Sequence, residues 1–178
     1  KIQELLAERK DKLGDAITIQ KETVVLGNVE QPGSGRSQSP EIYFGAARNE
    51  GLGNGSIRVG VVQTYTAPEK IVPNTIYLVG DWTFSEDYAI NTSANAKIIF
   101  RYQAQKVFFV ASDDDNTLHI LQDGKEDAEV FGASVRDRSV SITTDDLYRL
   151  IENDTFGDHT IEIQIEKPGL QVFTFTFG

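Results

Sequence analysis

At 178 residues, with 17 basic and 27 acidic side chains and a formal net charge of -10, the chain has room for one domain with a substantial core plus a short appendage, and too little for two enzyme domains. The acidic excess argues against the phosphate contacts that nucleic acid or an anionic membrane surface requires. The absence of cysteine excludes a disulfide, a thiolate metal site, a CxxC redox pair and a thiol nucleophile within the chain.

Along the chain, residues 2–13 place Ile2, Leu5, Leu6 and Leu13 on one broad stripe, with Glu4, Glu8, Arg9 and Lys10 mostly elsewhere and Gly14 as a stop. This spacing predicts a helix, which begins at Lys1 without a capping residue and reads as the end of a preceding domain. The opening Lys1-Ile2-Gln3-Glu4 is not a signal peptide and reads as an excised start. No apolar run approaches the roughly 20 residues of a membrane helix, so direct membrane insertion is not expected. Residues 27–40, rich in Gly, Ser, Gln and Pro, read as a linker.

Past Pro40, short β-branched and aromatic runs alternate with Gly, Asn and Asp clusters, which predicts strands near 76–84, 97–103, 106–112, 116–122, 158–166 and 170–177. Ile161, Ile163 and Ile165 share one face against Glu162, Gln164 and Glu166 on the other. Lys167-Pro168-Gly169 followed by Phe173, Phe175 and Phe177 predicts a C-terminal hairpin with the three phenylalanines in the core. Further hairpins are predicted around Ala104-Gln105 and at Asp123-Gly124. No fixed-period repeat and no strand-helix alternation is present, so the expected fold class is all-β: a jelly-roll β-sandwich over residues 41–178.

Several clusters invite a chemical reading, each beside a plainer one. Gly51-Leu52-Gly53-Asn54-Gly55-Ser56 superficially resembles a phosphate-cradling loop, but no lysine and no helix follow, and it reads as a flexible loop. His119 and His159 lack the neighbours of a zinc site and read as structural. Asp113, Asp114 and Asp115 concentrate calcium-type ligands without the glycine and distal glutamate of an EF-hand loop, and read first as a solvated turn. The sequons at Asn54, Asn91 and Asn153 carry no assigned function.

For ligand stacking the notable aromatics are Trp82, Tyr65, Tyr43, Tyr88 and Tyr102, each with core packing as its alternative. Arg48 and Arg101, near them in sequence, suit a carboxylate or vicinal hydroxyls, with a structural salt bridge as the alternative. The expected ligand-binding set is Trp82, Tyr65, Tyr43, Arg48 and Arg101, with no catalytic residue and no cofactor.

Taken in order, Ser39-Pro40-Glu41-Ile42-Tyr43-Phe44-Gly45 with Arg48, Tyr65-Thr66-Ala67-Pro68, Gly80-Asp81-Trp82, Phe100-Arg101-Tyr102, Leu147-Tyr148-Arg149-Leu150 and Phe175-Thr176-Phe177-Gly178 resemble the jelly-roll domain that follows thioredoxin in DipZ-type proteins of the cytochrome c biogenesis and thioredoxin family. The resemblance implies a parent with a membrane region and a thioredoxin-like, TlpA-like domain. It further implies that residues 1–26 are the tail of that domain, that the thioredoxin-like domain is the partner, and that the module lies outside the cytoplasm. It transfers no ligand-contacting residue. Three functions follow: a module binding a carbohydrate-like or peptide-like ligand, a structural domain that positions the thioredoxin-like domain, and a hydrolase using Asp81, Glu86, Asp145 or Asp146.

Overall fold

Apolar runs punctuated by Gly, Asn and Asp become nine antiparallel strands among the described residues of the computed structural model, which are 36–125 and 130–178. They are β1 (Ile42–Tyr43), β2 (Gln63–Tyr65), β3 (Ile76–Phe84), β4 (Ala89–Asn91), β5 (Ala96–Ser112), β6 (Asn116–Gln122), β7 (Ser139–Ile142), β8 (Asp146–Ile165) and β9 (Gln171–Phe177). The chain divides between Glu30 and Gln31, and every described element belongs to the unit Gln31–Gly178. The helix expected over residues 2–13, and residues 27–35 of the expected linker, lie outside the described residues.

Hydrogen bonds join the strands in the order β1-β9-β4-β3-β5-β8-β6-β7, with β2 on β3 and a further β9–β5 pairing. The spine is the long pair β5–β8, matched from Ala96↔Ile165 to Ala111↔Asp146. Midway, Ala104 faces Gly157 and Lys106 faces Glu152, so residues 153–156 of β8 stand opposite Gln105 alone. Such a bulge bends and twists a ribbon. Before it β5 pairs with β3, and after it with β9. The fold-over brings Phe100 and Tyr102 of the first half onto Phe177 of β9, ring centroids 5.5 and 5.9 Å apart. Apolar faces of both layers meet there, with Ile98, Phe109, Ile163 and Phe175 fully buried. The result is an all-β jelly-roll sandwich.

Two expected hairpins are not formed. Ala104 and Gln105 lie inside one continuous strand, and neither has the positive φ of a tight turn. Burial follows even positions through Ile98, Phe100, Tyr102 and Ala104, then odd ones through Val107, Phe109 and Ala111. On β5 itself the Gln105 and Lys106 N–H groups both donate to the Gly178 carbonyl, a one-residue bulge that inverts the faces of everything after it, and in a sequence that phase change looks like a break.

The C-terminal hairpin fails for a different reason. Both edges of the second half of β8 are taken, by β5 and β6, so Lys167-Pro168-Gly169 carries the chain across to the other layer. Asn91 and Asn116 hold this arch: each side-chain amide donates to the Lys167 carbonyl, at 2.9 and 3.0 Å, and Asn91 Oδ1 accepts from the Leu170 N–H. The Asp123-Gly124 turn does form, with φ of 53° and 72° and reciprocal 2.9 Å bonds between Gln122 and Lys125, as a two-residue turn with both φ positive requires.

Inside the sandwich, Tyr102 Oη donates to Gln122 Oε1 (2.6 Å) and Gln122 Nε2 donates to Asn153 Oδ1 (2.9 Å). This buried triad ties β5, β6 and the β8 bulge together, satisfying groups that would otherwise cost free energy. Burial drives the Tyr102 hydroxyl's pKa well above its ordinary value. The domain also starts before its expected boundary at residue 41: the Gln38 and Ser39 N–H groups donate to the Gln103 carbonyl, and the Gln105 N–H donates to the carbonyls of Arg36 and Gly178. Residues 36–39 and Gly178 thereby cover the stretch of the β5 edge lying between β3 and β9.

Candidate binding site

The segment after β1 is built around a buried anchor and a glycine. Phe44 is fully buried against Phe109 and Phe175, and its N–H donates to the Phe173 carbonyl at 2.9 Å. At Gly45 an added Cβ would run into the backbone of Glu86 and Asp87, so glycine allows the two segments to approach. The Ala46 and Ala47 N–H groups then donate to the Ser85 and Glu86 carbonyls, and those of Arg48 and Asn49 return to the Gly45 carbonyl. Asn49 closes this single turn: Nδ2 donates to the Phe44 carbonyl and Oδ1 accepts from Gly51 and Leu52.

The turn sets the Arg48 guanidinium 3.3 Å from the centroid of the Tyr43 ring, a cation–π contact. The Tyr43 hydroxyl donates to Glu41 Oε2, and that bond, with some desolvation, raises its pKa above the ordinary phenol value. Tyr43 and Arg48 both line two adjoining clefts. The larger, about 500 Å³, is bounded by Pro40, Glu41, Glu50, Gly51 and Asn74. The smaller, about 200 Å³, is bounded by Gly45, Glu86, Asp87, Phe173 and Thr174.

Of the five residues expected to bind ligand, the fold brings only Tyr43 and Arg48 together. Trp82 is fully buried, its indole N–H donating to the Val79 carbonyl at 3.0 Å. Tyr65 is buried, with its hydroxyl on the Ser56 carbonyl, and burial raises its pKa. Both belong to the core, because β3 and β2 turn these faces inward, and neither offers a stacking platform. Arg101 lies on the β5–β8 ribbon, where Nε and Nη2 grip Asp158 at 2.8 and 2.9 Å. The guanidinium hydrogen bonds hold the Asp158 carboxyl below its usual range. This is the structural salt-bridge reading.

The other clusters take their plainer readings, with one exception. Asp113 Oδ1 accepts from the Asp114 and Asp115 N–H groups and its Oδ2 from Asn116, while Lys167 Nζ lies 2.6 Å from Asp115. His119 pairs with Glu166 and His159 with Asp123, each at 2.7 Å. Among the four carboxylates of the hydrolase reading, Asp81 accepts from Thr64, Asp145 from Ser112 and Asp146 from the Leu147 N–H, and only Glu86 lines one of these two clefts. The exception is the glycine loop, which is strapped to β3. Ile76 N–H donates to the Gly51 carbonyl and Gly53 N–H to that of Ile76, while the Asn54 amide donates to the Thr66 and Leu78 carbonyls. Those bonds occupy Asn54; Asn91 is fully buried and Asn153 nearly so.

Sequence reasoning missed Glu50, Asn74, Asp87, Phe173 and Thr174 as lining residues. Phe173 was expected in the core; a bulge between Val110 and Ala111 gives its inward place to Val172, and its ring pairs with Tyr88, centroids 5.5 Å apart.

Residues 39–178 match the family described as "Thioredoxin like C-terminal domain". No curated protein sequence matches the chain. Among solved structures, similarity is found to a family two carbohydrate esterase from Cellvibrio japonicus, 12% identical, with a TM-score of 0.46 over 57% of this chain and 30% of that one. A family two carbohydrate esterase from Clostridium thermocellum, solved in complex with cellohexaose, is 15% identical, with a TM-score of 0.48 over 58% of this chain and 31% of that one. The matched region is thus under a third of the length of either esterase.

Proposed function

Given that the chain belongs to the family of thioredoxin-like C-terminal domains, we propose that it is the non-catalytic accessory module of a membrane-linked, DipZ-type thiol-disulfide oxidoreductase, and that it binds a carbohydrate of the cell envelope in the Tyr43–Arg48 clefts. Thiol chemistry belongs elsewhere in such a parent, since the 178 residues contain no cysteine. Residues 1–26 would then be the tail of the thioredoxin-like domain, and the module would work outside the cytoplasm.

The observation that carries the binding reading is the pair of clefts sharing one aromatic and one guanidinium. A concave surface of this size with a few convergent polar groups is the usual form of a small-ligand site. Arg48 supplies donors for hydroxyls, Glu41, Glu50 and Asn74 supply acceptors, and the half-buried Tyr43 and Phe173 supply apolar area.

Calorimetric titration with a panel of oligosaccharides and cell-wall fragments tests this, with the Tyr43 ring resonances followed in parallel. Saturable binding that moves those resonances and weakens in Tyr43→Ala is the expected result. Silence across the panel overturns it. Trp82 fluorescence should stay unchanged on binding, because that indole is enclosed by the core.

One observation favours a second role beside the first. Val59, Val61 and Val62 are 51%, 43% and 57% exposed, in a short stretch leading into β2. Clustered exposed valines suit contact with another protein surface, and the parent's thioredoxin-like domain is the partner proposed. Mixing the two domains should shift the amide signals of residues 59–62 and leave Tyr43 unmoved.

A further inference from the structure

Among the described residues, the carboxylates around the two clefts have no paired cation. Glu41 and Glu50 line one cleft and Glu86 and Asp87 the other, and all four are exposed. Among the described residues none of them makes an ion pair; Glu41 accepts only the Tyr43 hydroxyl. Among the described residues Arg48 is the cation lining both clefts; its guanidinium lies on the Tyr43 ring and keeps N–H groups free to donate. On the β5–β8 ribbon the acidic side chains Glu162, Asp158 and Glu152 are matched by Lys97, Arg101 and Lys106, and beyond the ribbon Asp115 is matched by Lys167.

The clefts therefore combine an aromatic face, hydroxyl donors from one arginine and an excess of carboxylate acceptors, within a chain of net charge -10. Such a lining repels anionic sugars such as uronates and attracts a ligand that carries positive charge among hydroxyls. A simple monovalent cation would gain little from exposed carboxylates and would leave the aromatic area and Arg48 unused. A saccharide with free amino groups uses all three: amines against Glu50 on one side and Glu86 or Asp87 on the other, hydroxyls on Arg48, ring faces on Tyr43 and Phe173. We infer that the Tyr43–Arg48 clefts select amine-bearing saccharides, that is, oligomers of unacetylated amino sugars, over their acetylated and neutral counterparts. This inference rests on the carbohydrate-binding reading above.

The test compares a glucosamine oligomer with the N-acetylglucosamine oligomer of equal length, titrated calorimetrically into the full 178-residue chain at about pH 5.5, where amino-sugar amines, less basic than alkylamines, remain largely protonated. The amine form is expected to bind about tenfold or more tightly than the acetylated form and to weaken as salt is raised. Glu50→Gln and Glu86→Gln should each reduce that preference several-fold while leaving the melting temperature of the free protein unchanged. Equal affinity for the two oligomers, or a preference untouched by both substitutions, overturns the amine selectivity and leaves carbohydrate binding standing. Failure of both oligomers, with binding of a neutral glucan at the same clefts, also overturns only the selectivity. Failure of every saccharide overturns both.

Discussion

The β5–β8 ribbon and the Tyr43–Arg48 clefts dispose of their charges in opposite ways. On the ribbon, Lys97–Glu162, Arg101–Asp158 and Lys106–Glu152 lie at 2.7 to 3.0 Å, each pairing a β5 cation with a β8 carboxylate on the adjacent strand. Burial alone would raise the Glu162 pKa, but hydrogen bonds from Lys97 and Gln164 outweigh it and hold the carboxyl low. Around the clefts, among the described residues, four carboxylates share the lining with one arginine that is turned onto a ring. Where charges are satisfied within the fold they serve the fold; where they are left unmatched beside concave surface, they are available to something that arrives from outside.

The largest effect should come from breaking the ribbon from within. Gln122→Ala leaves the Tyr102 hydroxyl and the Asn153 amide buried without their partner, and should lower unfolding free energy by about 3 kcal/mol in a chemical denaturation series. A loss below about 0.5 kcal/mol would mean that water replaces the glutamine and that the triad is not what ties β5, β6 and β8 together.

Next is Gly45, which lets the turn carrying Arg48 approach Glu86 and Asp87. Gly45→Ala forces the turn away from the Glu86–Asp87 backbone, with an expected cost of about 1–3 kcal/mol, as for overpacking in general. Saccharide binding should fall beyond what the stability loss explains, since Gly45 itself lines the smaller cleft. Arg48→Ala sharpens the contrast from the other side. Stability should stay within about 0.5 kcal/mol of the parent, while affinity for a hydroxyl-bearing ligand drops about tenfold.

The smallest effect is electrostatic. Arg101 depresses the Asp158 pKa, so the pair's stabilisation is fully present above the ordinary carboxylate range and is lost as pH falls through the depressed value. Asp158→Asn should therefore be slightly less stable than the parent near neutrality, and the gap should close in acid. The gap is modest, because solvent screens a half-exposed pair. Melting temperatures of both proteins across an acid series would show it; a gap independent of pH would assign the role of Asp158 to packing.

Much of this fold is legible along the chain, because alternation and turn chemistry are local. The runs that become β3, β6 and β9, the isoleucine face of β8 and the Asp123-Gly124 turn all follow from side chains within a few residues of each other. The motif at residues 39–45 likewise marks the stretch that carries Tyr43 into the clefts. What the sequence conceals is phase and partnership. The bulge at Gln105 inverts the alternation without any turn residue to announce it, and Lys167-Pro168-Gly169 reads as a hairpin until the edges of β8 are known to be occupied. An aromatic residue carries no mark of which way its strand will face, so Trp82 and Tyr65 read as ligand platforms no less than Tyr43 did. Composition, strand content and the absence of thiol chemistry were thus determined by the sequence alone. Strand pairing, the burial of Trp82, the capture of Arg101 by Asp158 and the meeting of Arg48 with Tyr43 were decided by the fold-over at the β5–β8 bulge and by the approach at Gly45. Each of these depends on contacts between residues distant along the chain, which no local pattern encodes.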